Sequence, residues 1–182
     1  CIRDSSPIVD QGFDAQEQLS FFDSWFTSLG FTFQIYFDFE KKQWKSSGDP
    51  LNDGVYNGSS LKGIPQGNGT LIFPDGSKYE GEWIDGWIGG EGSLIFFSGD
   101  NYIGGFKKGL FQGYGEYRWT DGQVYAGDYK AGIKDGRGLF SFIDGGRYEG
   151  AFENGEATGQ GSLELADGIS YEGCLLYTSD AA

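Results

Sequence analysis

Carboxylates and glycine-rich turns are the features of this sequence that could do chemistry. Glu80 and Glu82 form a close acidic pair that could share general acid and base roles. Steps such as Asp75-Gly76 and Asp121-Gly122 could open calcium loops, and Gly113-x-Gly115 could cradle a phosphate. Each fails on its neighbours. Glu80 and Glu82 alternate with Tyr79, Gly81 and Trp83, which places both on one solvated strand face with no cleft indicated. The Asp-Gly steps lack the alternating acidic ligands of an EF-hand. Gly113-x-Gly115 recurs as part of a longer period and is no dinucleotide fingerprint. No Gly-Lys-Ser or Gly-Lys-Thr follows a glycine loop, which excludes a P-loop. The chain has no histidine, which removes Ser-His-Asp and Cys-His arrangements and histidine metal sites. No catalytic residue, cofactor or metal is expected.

Composition narrows the class of partner. Thirteen Lys and Arg stand against 27 Asp and Glu, a formal charge of −14. Such a chain repels phosphate polymers and anionic lipid, so nucleic acid is not an expected partner and peripheral membrane association is disfavoured. Aromatics at 18% and 33 glycines argue against disorder and for many short strands joined by glycine turns. There is no apolar run of bilayer-spanning length and no Lys- or Arg-led apolar leader. A cytoplasmic protein is the expectation, with cytoskeletal or membrane association as the variant.

The two ends read as foreign. Cys174–Ala182 (CLLYTSDAA) resembles a translated transposase sequencing adapter, and Cys1–Ser5 (CIRDS) resembles the same element read on the other strand. Residues 1–5 and 174–182 are therefore expected to be artefacts. On that reading both cysteines say nothing about redox compartment, and 6–173 is a piece of a longer chain that stays acidic.

Between the tails lie two regions. In the head, 6–54, Asp14 and Glu17 have capping-box spacing, and Leu19, Phe22, Phe26 and Leu29 recur at helical spacing beside Trp25 until Gly30. A helix over 14–29 is expected. Phe31, Phe33, Ile35, Phe37 and Phe39 then alternate as a strand, with Gln43–Lys45 as a short partner across Lys41-Lys42 and a linker from Ser46 to Pro50.

The region 55–173 is a repeat array. Tyr56, Tyr79, Tyr102, Tyr125, Tyr148 and Tyr171 stand 23 residues apart, each followed two places on by glycine, and most glycines fall in five fixed phases. One unit reads as a β-hairpin. Tyr79–Ile84 is its first strand. Asp85-Gly86 opens a multi-residue turn that Gly89 and Gly90 complete, and Glu91–Phe97 is its second strand. Asp75-Gly76, Ser98-Gly99, Asp121-Gly122, Asp144-Gly145 and Asp167-Gly168 turn each unit into the next. The fold class is thus an all-β repeat: an elongated single-layer antiparallel meander of 23-residue hairpins with a short α/β cap at its N-terminal end.

Alternation puts Tyr79, Gly81 and Trp83 on one face with Gly92, Leu94 and Phe96. Trp83 is followed in its slot by Phe106, Tyr129 and Phe152, and Phe96 shares its slot with Phe73, Trp119, Phe142 and Leu165. Strand glycines cost roughly 0.5–1 kcal/mol each. They are expected to seat rings from the neighbouring strand, each worth about 4–6 kcal/mol gross at ~150–250 Å². The other face carries Leu61, Ile72, Ile84 and Ile95 early. In the same slots it later carries Lys107, Arg118, Lys130, Ser141, Glu153 and Glu164. The helix over 14–29 is expected to cover that early second face, as arrays need capped ends; as a docking peptide for a partner it is the alternative.

Tyr-x-Gly-x-(Trp/Phe/Tyr)-x-x-Gly-x-x-x-Gly-x-Gly at a 23-residue period resembles the MORN (membrane occupation and recognition nexus) repeat from Tyr56 to Gly173. The first unit departs from it, with Ser60 in the aromatic slot. The resemblance implies a single-layer twisted sheet acting as a binding or scaffolding module. Members of that family occur alone or attached to lipid kinases, methyltransferases or membrane-junction proteins. The expected function is a non-catalytic module binding a partner peptide or helix on the aromatic face. The alternative is a regulatory or targeting region of a larger enzyme of lipid kinase or methyltransferase type. The candidate contacts are the rings Tyr79, Trp83, Tyr102, Phe106, Tyr125, Tyr129, Tyr148 and Phe152, with Trp87, Leu110, Phe111 and Ile133 at the hairpin turns.

Overall fold

The computed structural model describes residues 34–175; the helix expected over 14–29, the start of the strand expected from Phe31, and the tail 1–5 lie outside them, as does most of the C-terminal tail. Among the described residues there are strands and no helix. The head contributes β1 (Gln34–Asp38) and β2 (Gln43–Lys45). The array contributes β3 (Gly54–Leu61), β4 (Ile64–Ile72), β5 (Lys78–Ile84), β6 (Trp87–Ile95), β7 (Asn101–Lys107), β8 (Leu110–Arg118), β9 (Val124–Lys130), β10 (Ile133–Ser141), β11 (Arg147–Glu153), β12 (Glu156–Glu164) and β13 (Ser170–Leu175). All thirteen form one antiparallel sheet that meanders from β13 to β3 and ends in the order β3-β1-β2.

Glycine pairs set the register. Gly58, Gly81, Gly104, Gly127 and Gly150 stand opposite Gly69, Gly92, Gly115, Gly138 and Gly161 within each hairpin. The hairpin turn differs from the expected multi-residue loop. Only two residues turn, Asp85 (φ 51°) and Gly86 (φ 79°), and β6 starts at Trp87. Both turn residues have positive φ, the type I′ pattern whose twist matches that of the flanking strands. Gly89 and Gly90 serve elsewhere. Trp83 pairs with Ile88 and Gly81 with Gly92, so Glu82 alone faces three residues of β6. Gly90 (φ 68°) turns the backbone through this bulge.

The links between units hold three residues. Gly76 N–H donates to the Phe73 carbonyl (2.9 Å) and Phe73 N–H to the Ser77 carbonyl (2.8 Å), a type I turn closed by a glycine bulge. Asp75 earns its place by accepting Ser77 N–H (2.8 Å). Asp121, Asp144 and Asp167 repeat the bond, and Ser98 supplies a hydroxyl for it.

The head hairpin matches the expected pairing of Gln43–Lys45, and it extends the sheet. Ile35 lies opposite Tyr56, and the chain returns from the edge strand β2 through residues 46–53. An ionic knot holds this return: Lys45 reaches Asp53 (2.9 Å) and Asp38 (3.5 Å). The Lys41 N–H chiefly holds the Asp38 carboxyl below the usual carboxylate range, and the Lys45 ammonium chiefly does so for Asp53. Trp44 of β2 fills the gap left by Ser60. Its ring meets Tyr56 (5.7 Å) and Trp83 (5.6 Å) edge-on, and its Nε1–H donates to the Gly86 carbonyl (3.3 Å).

Candidate interaction surface

The repeated tyrosines build the floor of one face. A Cβ placed on Gly92 would fall 2.5–2.8 Å from the Tyr79 ring, so each ring lies flat on the bare backbone of the next strand. Its hydroxyl donates to the carbonyl three residues on: Tyr79 to Glu82 (2.9 Å), Tyr102 to Gly105 (2.9 Å), Tyr125 to Asp128 (3.0 Å). Burial pushes the Tyr56 and Tyr125 hydroxyls up to about 12, since the phenolate would lose its water. The slot rings bridge consecutive tyrosines edge-to-face. Phe106 lies 5.1 Å from both Tyr79 and Tyr102, and Tyr129 lies 5.3 Å from Tyr102 and 5.2 Å from Tyr125. Edge-to-face pairs are worth ~0.5–1.5 kcal/mol beyond area burial.

This geometry sorts the candidate contacts into two groups. Tyr79, Trp83, Tyr102, Phe106, Tyr125, Tyr129, Tyr148 and Phe152 are all buried, none more than 6% exposed. Their surfaces are used within the sheet. Phe111 lies partly buried on the same face: opposite Phe106, it stacks on Tyr102 with centroids 3.7 Å apart. Trp87, Leu110 and Ile133 instead stand about half exposed beside the two-residue turns, each paired with a residue of the opposite face.

Above the floor runs a second tier of half-buried rings. Phe96 meets Tyr117 (5.7 Å), Tyr117 meets Trp119 (4.5 Å), Trp119 meets Phe140 (5.6 Å) and Phe140 meets Phe142 (4.9 Å). These rings are absent from the candidate contacts, although alternation from each strand glycine marks Phe96, Trp119 and Phe142 as ring-face residues. Asp100 anchors the tier. It accepts Thr120 N–H (2.9 Å) and the Tyr117 hydroxyl (3.1 Å), and the Thr120 bond leads in lowering its pKa.

Charge divides between the faces. Glu80, Glu82, Glu91, Glu116, Asp128 and Glu149 all alternate onto the face opposite the rings. Among the described strand residues of the ring face, only Lys134 is charged. Its Nζ lies 4.9 Å from the Phe140 centroid, 5.1 Å from Tyr125, 5.2 Å from Trp119 and 5.9 Å from Phe152, and burial lowers its pKa. Grooves of two kinds mark the sheet. An apolar one of about 410 Å³ lies at the head, lined by Phe37, Phe39, Trp44, Phe73, Trp83 and Ile88. A larger polar one of about 710 Å³ lies over the late opposite face, lined by Tyr114, Arg137, Leu139, Glu149, Gln160 and Glu172. Among the described residues no three Cys, Asp or Glu side chains gather as a metal site, and no helix is long and apolar enough to cross a membrane.

A single-layer sheet of equivalent hairpins, each seating a tyrosine on a glycine pair, defines a β-repeat scaffold. The MORN repeat family model matches five consecutive units, residues 56–78, 79–101, 102–124, 125–147 and 148–170, and the chain belongs to that family. No curated protein sequence matches the chain. Solved structures similar to it include two TCP-type domains. One is the SAS-4 (dCPAP) TCP domain of Drosophila melanogaster in complex with a proline-rich motif of Ana2 (dSTIL), at 10% identity and TM-score 0.45, covering 95% of this chain and 86% of that one. The other is the TCP10 domain of Danio rerio CPAP in complex with a STIL peptide, at 18% identity and TM-score 0.24, covering 67% of this chain and 57% of that one.

Proposed function

We propose that the array is a non-catalytic protein-interaction scaffold that takes a partner peptide or helix along its ring face. The observation that carries this is the half-buried tier from Phe96 to Phe142, continuous along a face whose strands bear no carboxylate. Half-exposed rings on a rigid floor give apolar area with little side-chain entropy left to lose, the property of interface anchors. The buried floor rings hold that tier in place, and the acidic opposite face keeps the scaffold in solution.

The test is selection of 12-residue peptides from a random library against the full chain, followed by titration of one synthetic peptide. Trp119→Ala and Phe142→Ala should each weaken binding about tenfold, the ~1.4 kcal/mol expected of a contact anchor. Arg137→Ala and Glu149→Ala on the opposite face should leave it unchanged. Selected peptides that ignore both ring variants and lose affinity with the opposite-face variants would overturn the reading, as would failure to enrich any peptide.

A further inference from the structure

On the face opposite the rings, the row beside the two-residue turns is wholly apolar only in the first two hairpins. Beside the two-residue turns, Leu61 pairs with Ile64 and Ile84 with Trp87, and all four are 45–64% exposed. In the next two hairpins the pair becomes Lys107 with Leu110 and Lys130 with Ile133, and in the fifth it is Glu153 with Glu156. Monomeric sheets rarely leave such a row bare without a use for it. The row belongs to the hairpins nearest the point where the chain enters the sheet.

The dimensions fit one segment of this chain. From β3 to β6 is three strand spacings, about 14 Å at ~4.8 Å each. Leu19, Phe22, Phe26 and Leu29 would span about 15 Å along one side of a helix at ~1.5 Å per residue. Gln34 pairs with Asn57, four residues before Leu61 on β3. Residues 30–33 therefore have just the reach needed to bring Leu29 to Leu61, about 13 Å in extended chain. We propose that residues 14–29 form a helix lying across the turn edge of the first two hairpins. Leu29 then sits by Leu61 and Leu19 toward Trp87, closing the apolar row that later hairpins replace with charge. This contact is intramolecular, lies on the opposite face, and stands apart from peptide binding by the rings.

The experiment uses the full chain with labelled methyl and aromatic groups. Contacts are expected from the Phe22 and Phe26 rings to the methyls of Leu61, Ile64 and Ile84, with amide exchange in 14–29 slowed more than tenfold. Ile84→Glu combined with Trp87→Glu should abolish both, while Lys130→Glu combined with Ile133→Glu should leave them intact. All four positions are exposed or paired at the surface, so the sheet itself survives these changes. Ring contacts to Ile88 or Leu71 would place the segment in the apolar groove of the ring face and overturn the proposal. So would unprotected amides in the unmodified chain, or protection unchanged by the first variant.

Discussion

Gly115→Ala tests the seating of the tyrosines most directly. Gly115 lies in β8 opposite Gly104, with a backbone conformation that alanine adopts freely. On an open strand the change would stabilise the chain by roughly 0.5–1 kcal/mol, since glycine loses more backbone freedom on folding. Here the new methyl would fall within 2.6 Å of the Cε2 and Cζ atoms of Tyr102. Tyr102 has no exposed surface, donates to the Gly105 carbonyl, stacks on Phe111, and meets Phe106 and Tyr129 edge-on. A ring that shifts in place costs about 1–3 kcal/mol of overpacking. A ring driven out forfeits about 1 kcal/mol of hydrogen bond and three aromatic contacts of ~0.5–1.5 kcal/mol each. Less the glycine gain, the net loss is up to about 2.5 kcal/mol for a ring that shifts and about 1.5–5 kcal/mol for one driven out. Urea unfolding reads the total. Hydrogen exchange at β7 and β8 reads where it falls, because neighbouring units of an array open separately. A double-mutant cycle with Tyr102→Ala then isolates the cause, and in that background Gly115→Ala should be neutral or stabilising. Gly113→Ala is the control: φ is 74° there and no atom stands within 4 Å, so it pays only the left-handed penalty of ~1–2 kcal/mol whatever stands at 102. A harmless Gly115→Ala, or one equally costly without the Tyr102 ring, would refute the seating.

Two further predictions concern charge. Lys134→Glu should destabilise the fourth and fifth hairpins by about 2 kcal/mol, because it removes a cation–π contact and points an anion at the negative faces of four rings. Lys107→Glu and Lys130→Glu on the opposite face should stay within about 0.5 kcal/mol; equal losses in thermal unfolding at all three sites would contradict this. Acid should loosen the head hairpin. The Asp38 and Asp53 carboxyls have folded pKa values below their unfolded ones. Their contribution is therefore fully present above the ordinary carboxylate range and is lost as pH falls below about 4 and on through the lowered folded values. Trp44 emission should follow that change and should lose much of its acid dependence in Asp53→Asn; identical titrations would count against the ionic knot.

The parts of this fold that were legible in the sequence are those that local chemistry repeats. Tyr79 and Gly92 recur in step because a flat ring and a bare backbone require each other, and that requirement fixes register as well as strand identity. The turn was less legible. Gly86, Gly89 and Gly90 all satisfy the rule that glycine marks positive φ or close approach, and nothing in their spacing says which closes the hairpin and which opens the bulge. Lys108 and Ala131 take left-handed turn positions with no residue preference to announce them. That ambiguity carried into the candidate contacts. With the turn drawn too long, Phe111 counts as an edge residue, whereas β8 already includes it and its pairing with Phe106 sets it on the ring face against Tyr102. Trp44 was illegible for another reason. Its partners Tyr56 and Trp83 are 12 and 39 positions away, and only the crossing order β3-β1-β2 brings it to the empty place beside Tyr56. The distinction between floor and tier has the same origin. Tyr102 and Tyr117 are both ring-face tyrosines two residues from a strand glycine. One lies over its partner strand's glycine and disappears, and the other stands against Trp119 and stays half open. Alternation assigns a side chain to a face, but only the cross-strand neighbour decides how much of it a partner can touch.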